Sequence, residues 1–276
     1  MKAAAFEYIA AESVEAALEA MAEHGEEARP LAGGQSLIPL MAMRLARPGV
    51  VVDLNRIPGL GALEVGEGLS MGATCRLARL EREPAAAAAH PLLLAAIRHV
   101  AHFQIRNRST VGGTTAHLDP AAEVPAVLFA SGGTVIVRSV RGERSAPMAD
   151  FVRGPMTSDL APDEIVVAVD APWRAGTGWG FAEVARRQGD FATVGAVAVA
   201  EPGSAPRVVV FAAGAGPQRL PGVEAMASAP AAKVELAAAD EIEATDDIHA
   251  SARYRKVVGG RLAARVLAEA LAGRPA

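Results

Sequence analysis

Apolar residues recur at Val14, Ala17, Leu18 and Met21, the three-and-four spacing of one helix face. Ser13 stands where an N-cap belongs, and Gly25 is placed to end the helix. Residues 28–32 read as a short strand that runs into Gly33-Gly34. A second helix is expected to start near Ser36, with Pro39 tolerated in its first turn. The unbroken apolar run "GVVVDL", residues 49–54, reads as a buried strand. The turn Gly66-Glu67-Gly68 separates two further strand-like pieces. "HPLLLAAIRHVAH", residues 90–102, has a helical pattern, and a Gly112-Gly113 loop follows it. "AAEVPAVLFASGG" is an apolar helix with Pro125 near its beginning. Residues 134–139, 144–148 and 164–170 read as strands, and their tight connections predict antiparallel pairing.

A Gly- and Pro-rich stretch, "APWRAGTGWG" at 171–180, marks a domain boundary near residue 175. Beyond it, "FAEVARR", "TVGAVAVA" and "RVVVFAAG" predict three strands of one antiparallel sheet. The rest is helical, ending in a long helix that Gly259 and Gly260 are expected to interrupt, with Asp246 and Asp247 as a cap ahead of it. This order of elements gives an α+β fold rather than a regular βαβ alternation.

The length of 276 residues allows one large or two smaller domains, and a hydrophobic share of 51% supplies a sizeable core. A net charge of −4 argues against a nucleic-acid surface, which shows a basic stripe. Glu7, Glu12 and Glu15 interrupt any leader-like apolar region. No apolar run reaches the roughly 18 residues of a membrane span, so a cytoplasmic protein is expected. Cys75 is the only cysteine, which rules out an intrachain disulfide. An iron–sulfur cluster needs about four thiolates, so this chain cannot hold one by itself. The six histidines show no metal-site spacing.

The candidate chemistry lies in two stretches, "RPLAGGQSLIPL" at 29–40 and "STVGGTTAHLDPAAE" at 109–123. A Gly-Gly pair at a strand end permits positive φ and leaves no Cβ in a ligand's way. Successive backbone N–H groups can then converge on an anion, helped by a helix start and by hydroxyls. Gly33, Gly34, Gln35 and Ser36 fit this in one stretch, and Gly112, Gly113, Thr114 and Thr115 in the other. Two such loops would suit a pyrophosphate. The plain alternative is a tight turn at each pair, and spacing alone favours it. Neither stretch is a P-loop, and no GxGxxG opens a βαβ unit.

Taken together, "ARPLAGGQSLIPLMAMRLARP", "STVGGTTAHLDPAAEVPAVLFA" and "GFAEVARRQGDFATVGAVAVA" resemble, in order and spacing, the FAD-binding subunit of molybdenum hydroxylases. This is the xanthine dehydrogenase and aerobic carbon monoxide dehydrogenase group, and the likeness is to its separate medium chains. The resemblance implies a FAD-binding domain of the vanillyl-alcohol-oxidase (PCMH) type over 1–175, with lobes of about 1–55 and 56–175. A smaller domain over 176–276, with a three-stranded antiparallel sheet and helices, completes the chain.

The resemblance further implies that Ala32, Gly33, Gly34, Gln35 and Ser36, with Thr110, Val111, Gly112, Gly113 and Thr114, hold the FAD pyrophosphate. Relatives often carry Asn where this chain has Thr114. Glu123 matches a carboxylate near the adenosine moiety, and Asp119 either binds or caps the following helix. Phe191 would pack on the flavin ring and Asp190 would shape its loop. Arg187 either lies near the ring's pyrimidine end or makes a structural pair. Val166 matches an aliphatic residue near the flavin. FAD is expected to be non-covalent. No residue is expected to be catalytic, because the flavin performs the redox step.

The implied partners are a molybdopterin-binding large subunit and a small subunit with 2Fe-2S clusters, in a heterotrimer. Electrons would pass from the clusters through FAD to NAD, a quinone or oxygen. The rival readings are a self-sufficient FAD oxidoreductase of the same fold and a non-catalytic relative that lost FAD.

Overall fold

The computed structural model describes residues 2–273. The first elements are β1 (Glu7–Ala10), α1 (Val14–His24), β2 (Ala28–Leu31), α2 (Leu37–Ala42) and β3 (Val50–Asp53). The strands form a three-stranded sheet in the order β1-β3-β2, and β3 pairs in parallel with both neighbours. Val50, Val51 and Val52 are all buried, because the central strand of a parallel sheet is covered on both faces. Ser13 caps α1 by accepting from the Ala16 N–H at 3.1 Å, and Gly25, at φ 51°, closes it. β1 was not expected. It is an edge strand with two exposed and two half-buried residues, so no buried face imprints alternation on it, and the backbone of β3 defines it.

The chain continues with β4 (Leu63–Gly66), β5 (Gly68–Gly72), α3 (Leu77–Arg82), α4 (Pro84–Ala89), α5 (Pro91–Ile97), α6 (Phe103–Arg106), α7 (Val111–His117) and α8 (Glu123–Ser131). Then come β6 (Thr134–Ser139), β7 (Gly142–Pro147), α9 (Met148–Phe151), β8 (Val152–Gly154), β9 (Thr157–Ser158) and β10 (Ile165–Pro172). Five of these strands form an antiparallel sheet in the order β4-β5-β10-β6-β7. The helix expected over 90–102 stops at Ile97, and Ala101, at φ 44°, turns the chain into α6. Buried His90 starts α5, its Nδ1 accepting from the Leu93 N–H at 3.2 Å. α8 is apolar almost all round because it is the buried central helix.

The last elements are β11 (Gly178–Ala185), β12 (Ala192–Ala200), β13 (Arg207–Phe211), β14 (Gln218–Arg219), α10 (Pro221–Ala225), α11 (Ala231–Glu241) and α12 (Ala252–Ala272). Their sheet has four antiparallel strands rather than three, in the order β11-β12-β13-β14. The added strand is two residues long, too short to leave a pattern in the sequence. One face of the sheet sends Val197, Val199, Val209 and Phe211 into the core shared with α5 and α8. The other sends Val194, Ala196, Ala198, Val208 and Val210 against α11 and α12. Both faces being covered, β12 reads as one apolar run.

α12 runs without interruption through Gly259 and Gly260, contrary to the sequence expectation. A Cβ at Gly260 would lie 2.5 Å from the Glu235 carbonyl oxygen, and one at Gly259 would lie 2.9 Å from Ile242 Cδ1. The glycines therefore let α11 and the sheet approach, and the packing gained keeps the helix continuous. Asp246 Oδ1 accepts from the Ala252 N–H at 2.7 Å, while Ser251 is the N-cap itself. Among the described residues, no helix is long and apolar enough to cross a membrane.

Candidate functional site

Residues Ala32–Ser36 leave β2 and enter α2. Gly34 has φ +72°, whereas Gly33 is required by a close approach: a Cβ there would lie 2.5 Å from the Arg108 carbonyl oxygen. The loop is anchored through its carbonyls. Asn55 Nδ2 donates to the Ala32 oxygen at 2.9 Å, and Gln35 Nε2 donates to the Gly33 oxygen at 3.1 Å. Asp53 Oδ1 accepts from the Asn55 N–H at 2.9 Å, and Tyr8 donates its hydroxyl proton to Asp53 Oδ2 at 2.6 Å. No backbone carbonyl of the described residues takes the N–H groups of Gly33, Gly34, Gln35 or Ser36. The Ser36 hydroxyl caps no amide of α2. The loop's carbonyls are tied back and four successive amides are left without a backbone acceptor, the donor set an anion takes.

The second glycine pair is not a loop. Thr110 is the N-cap of α7, and Gly112 and Gly113 lie in its first turn. Val111 N–H donates to the Cys75 oxygen at 2.9 Å, Gly112 N–H to the Ala73 oxygen at 3.0 Å, and Gly113 N–H to Thr110 Oγ1 at 3.1 Å. The free-amide reading therefore fails for this stretch, because the cap and the turn after β5 already satisfy those donors. The two glycines differ in purpose. A Cβ at Gly112 would strike Ala73 Cα at 2.7 Å, so this residue permits close packing. A Cβ at Gly113 would meet Thr110 Oγ1 at 2.7 Å and then only Ala32 Cβ, at 3.9 Å. Gly113 thus lies beside Ala32, and the structure brings the two glycine stretches together.

Asp119 shapes the turn into α8: its Oδ1 accepts from the Ala121 N–H at 2.9 Å, and its carbonyl accepts from Ala122 at 2.9 Å. Glu123 opens α8 and is only 6% exposed. Burial, reinforced by the charges of Glu183 and Asp119, pushes its carboxyl up to about 8. Glu183, on β11, has a buried side chain whose Oε1 lies 3.1 Å from Nδ1 of half-exposed His99. Its Oε2 is buried with no hydrogen-bond partner. The Glu183 carboxylate holds the His99 imidazole above its usual range.

Val166, on β10, has its side chain buried in the core that also holds Val111 of α7, and its register partner on β6 is Val137. Arg187, Asp190 and Phe191 lie in the turn between β11 and β12, where Asp190 N–H donates to the Arg187 oxygen at 3.1 Å. Phe191 is 74% exposed. The turn is seated by Gly189, at φ +87°, where a Cβ would lie 2.7 Å from His102 Cε1. His102 starts α6, whose far end leads through Arg108 to Thr110. The segment that holds α6 thus meets the Arg187–Phe191 turn at His102 and the first glycine stretch at Arg108.

Sequence reading missed Asn55, Glu183 and His99. Asn55 left a signal, since an Asp-x-Asn after a strand makes the side chain–backbone turn seen here. Glu183 and His99 are 84 positions apart and left none.

Comparison with known proteins fixes the class. Residues 4–174 match the family described as "FAD binding domain in molybdopterin dehydrogenase". The nicotine 6-hydroxylase medium subunit of Paenarthrobacter nicotinovorans is 41% identical, over 98% of this chain and 99% of its own. The 6-hydroxypseudooxynicotine dehydrogenase complex subunit alpha of the same organism is 37% identical, over 98% and 96%. Among solved structures, a carbon monoxide dehydrogenase of Hydrogenophaga pseudoflava contains a chain that superposes with a TM-score of 0.93 at 32% identity, covering all of both chains. The chain belongs to the FAD-binding medium subunits of the molybdenum hydroxylase family, and it is a flavoprotein subunit of a dehydrogenase. The free amides of Gly33–Ser36, with Gly113 beside Ala32, are a donor set that suits the diphosphate of that cofactor.

Proposed function

We propose that this chain carries non-covalent FAD in a cytoplasmic heterotrimer. In this reading it receives electrons from the 2Fe-2S clusters of a small subunit and passes them to NAD, a quinone or oxygen. The substrate is oxidised on a molybdopterin-binding large subunit. The observation that carries the reading is the row of unclaimed N–H groups at Gly33, Gly34, Gln35 and Ser36, in the loop that Gly113 adjoins at Ala32. Bound FAD supplies the exchange between paired and single electrons.

This chain's residues bind and orient. The Ala32–Ser36 amides and the Ser36 hydroxyl hold the diphosphate from one side. Thr114, with Thr110, Val111, Gly112 and Gly113 as the rigid wall, borders it on the other. Glu123 faces the adenosine moiety, and Asp119 fixes the turn that presents Glu123. Phe191 covers the ring, Asp190 shapes its turn, and Arg187 offers positive charge there. Val166 acts from the core, by supporting the sheet beneath α7. Cys75 is buried, and burial pushes its thiol up, which disfavours a covalent flavin link. The matching parts are a two-lobed FAD-binding region of the vanillyl-alcohol-oxidase (PCMH) type over 1–175, with lobes of about 1–55 and 56–175, and a second region over 176–276.

Close coverage of medium subunits of other complexes supports the partner assignment. A self-sufficient oxidase would need an acid or base beside the ring, together with its own substrate pocket. Purification of the chain with its native partners tests the reading: the complex should show a flavin spectrum and contain molybdenum and iron. A metal-free chain that oxidises a small substrate by itself would overturn it.

A further inference from the structure

Arg76 lies outside the two glycine stretches and is tied to both. It precedes α3, and its side chain caps no amide of that helix. Its main chain pairs antiparallel with Thr110, the N-cap of α7. On either side of that bridge the Leu77 N–H donates to the Ser109 oxygen at 3.0 Å and the Val111 N–H to the Cys75 oxygen at 2.9 Å. Residues 75–77 thus hold the start of the second stretch. The side chain reaches towards the first. Nη1 donates to the Arg108 carbonyl oxygen, and Nη2 donates to Asn55 Oδ1. The Arg108 oxygen is the atom on which Gly33 packs. Asn55 is the residue whose Nδ2 donates to the Ala32 oxygen at 2.9 Å. The guanidinium therefore braces the two groups that seat Ala32 and Gly33.

The tie also brings a charge. Arg76 is half-buried, and burial together with the neighbouring Arg108 lowers its guanidinium from its usual range. Both acceptors are neutral oxygens. Asp53, the carboxylate that bears on it, already accepts from the Tyr8 hydroxyl at 2.6 Å and from the Asn55 N–H at 2.9 Å. A partly buried cation held only by neutral acceptors is stabilised when an anion binds beside it.

We propose that Arg76 is a positioning residue for the FAD diphosphate: through Asn55 and the Arg108 carbonyl it locks the Ala32–Ser36 loop to the start of α7. This rests on the reading that the two glycine stretches hold that diphosphate. Arginine suits the task because its planar fork sets two donors at a fixed separation, which a lysine ammonium does not.

FAD binding to the full chain, followed by quenching of flavin fluorescence, and phosphorus NMR of the FAD-loaded chain test the role. Arg76→Met should weaken FAD binding about tenfold or more, the scale of lost hydrogen bonds from a charged group. It should also move the phosphorus resonances of the bound diphosphate. A residue that merely stabilised the fold would lower Tm without moving them. Asn55→Ala should weaken FAD binding too, and the double variant should be little worse than the weaker-binding single one, because both act through one connection. Arg82→Met is the control: Arg82 donates instead to Asn107 Oδ1 at 2.9 Å, and its loss should leave affinity and resonances unchanged. Should Arg76→Met not fold, Arg76→Lys keeps the charge and loses the fork, and the same two readouts apply. Unchanged affinity and unmoved resonances in a folded Arg76 variant, or losses that multiply with those of Asn55→Ala, would overturn the proposal. If Gly113→Ala also leaves both readouts unchanged, the placement of the diphosphate fails. If Gly113→Ala moves them and the Arg76 variants do not, only the role of Arg76 fails.

Discussion

Gly112 and Gly113 are neighbours with opposite duties. Gly112→Ala drives a methyl group into the Ala73 backbone, so it should cost about 1–3 kcal/mol, read as a fall in Tm. Gly113→Ala meets only the Thr110 hydroxyl and should cost about 1 kcal/mol through the disturbed cap, while weakening FAD binding disproportionately. Ionisable residues divide in the same manner. His90 is buried and held neutral, its imidazole pushed down to about 4 by burial. Because its folded value is depressed, the folded state binds fewer protons, and stability is lost as pH falls from about 6.5 towards 4. His90→Asn keeps an N-cap acceptor and should flatten that loss in acid unfolding curves. Glu123 has the opposite sign. Its folded value is raised, so its contribution is complete below about 4.5 and is lost as pH rises through about 8. Glu123→Gln should therefore flatten the alkaline side of the same profile. The glycines, Ser36 and Glu123 stood out in the sequence because their residue types are chemically marked. The free or occupied state of their amides did not, since it depends on Ala73, Cys75 and Asn55, contributed by other segments.

Among the elements, those with one buried face or a strong cap were plain in the sequence, as α1 shows. Those defined by neighbours were not. β1 depends on β3, β14 on β13, and the continuity of α12 on α11. Gly260 tests the last of these. In an isolated helix, Gly→Ala gains about 1 kcal/mol from propensity. Here the methyl group would meet the Glu235 carbonyl oxygen at 2.5 Å, and overpacking of about 1–3 kcal/mol should win. Gly260→Ala is thus expected to lower Tm. A rise would mean that α11 moves aside freely. The helix expected through residue 102 ends at Ile97 for a related reason: Ala101 and His102 receive Gly189 from the ring-side turn. A helix continued there would lack the left-handed residue that makes this contact.

Across the whole molecule, the parallel sheet leads into the Ala32–Ser36 loop, the antiparallel sheet packs on α7, and the four-stranded sheet presents Phe191. The α+β class and the order of these parts followed from hydrophobic periodicity. Their convergence did not, because it is made by contacts such as Gly33 on Arg108 and Gly189 on His102, between segments about 75 and 87 residues apart. The central claim is that the Ala32–Ser36 amides and the face of Gly113 together hold the FAD diphosphate. A crystal structure of the chain with FAD tests it most directly. The account predicts both phosphates between these two stretches, with Gly34, Gln35 or Ser36 N–H donating to them and Phe191 against the ring. A diphosphate bound elsewhere, with those amides facing only solvent, would contradict it.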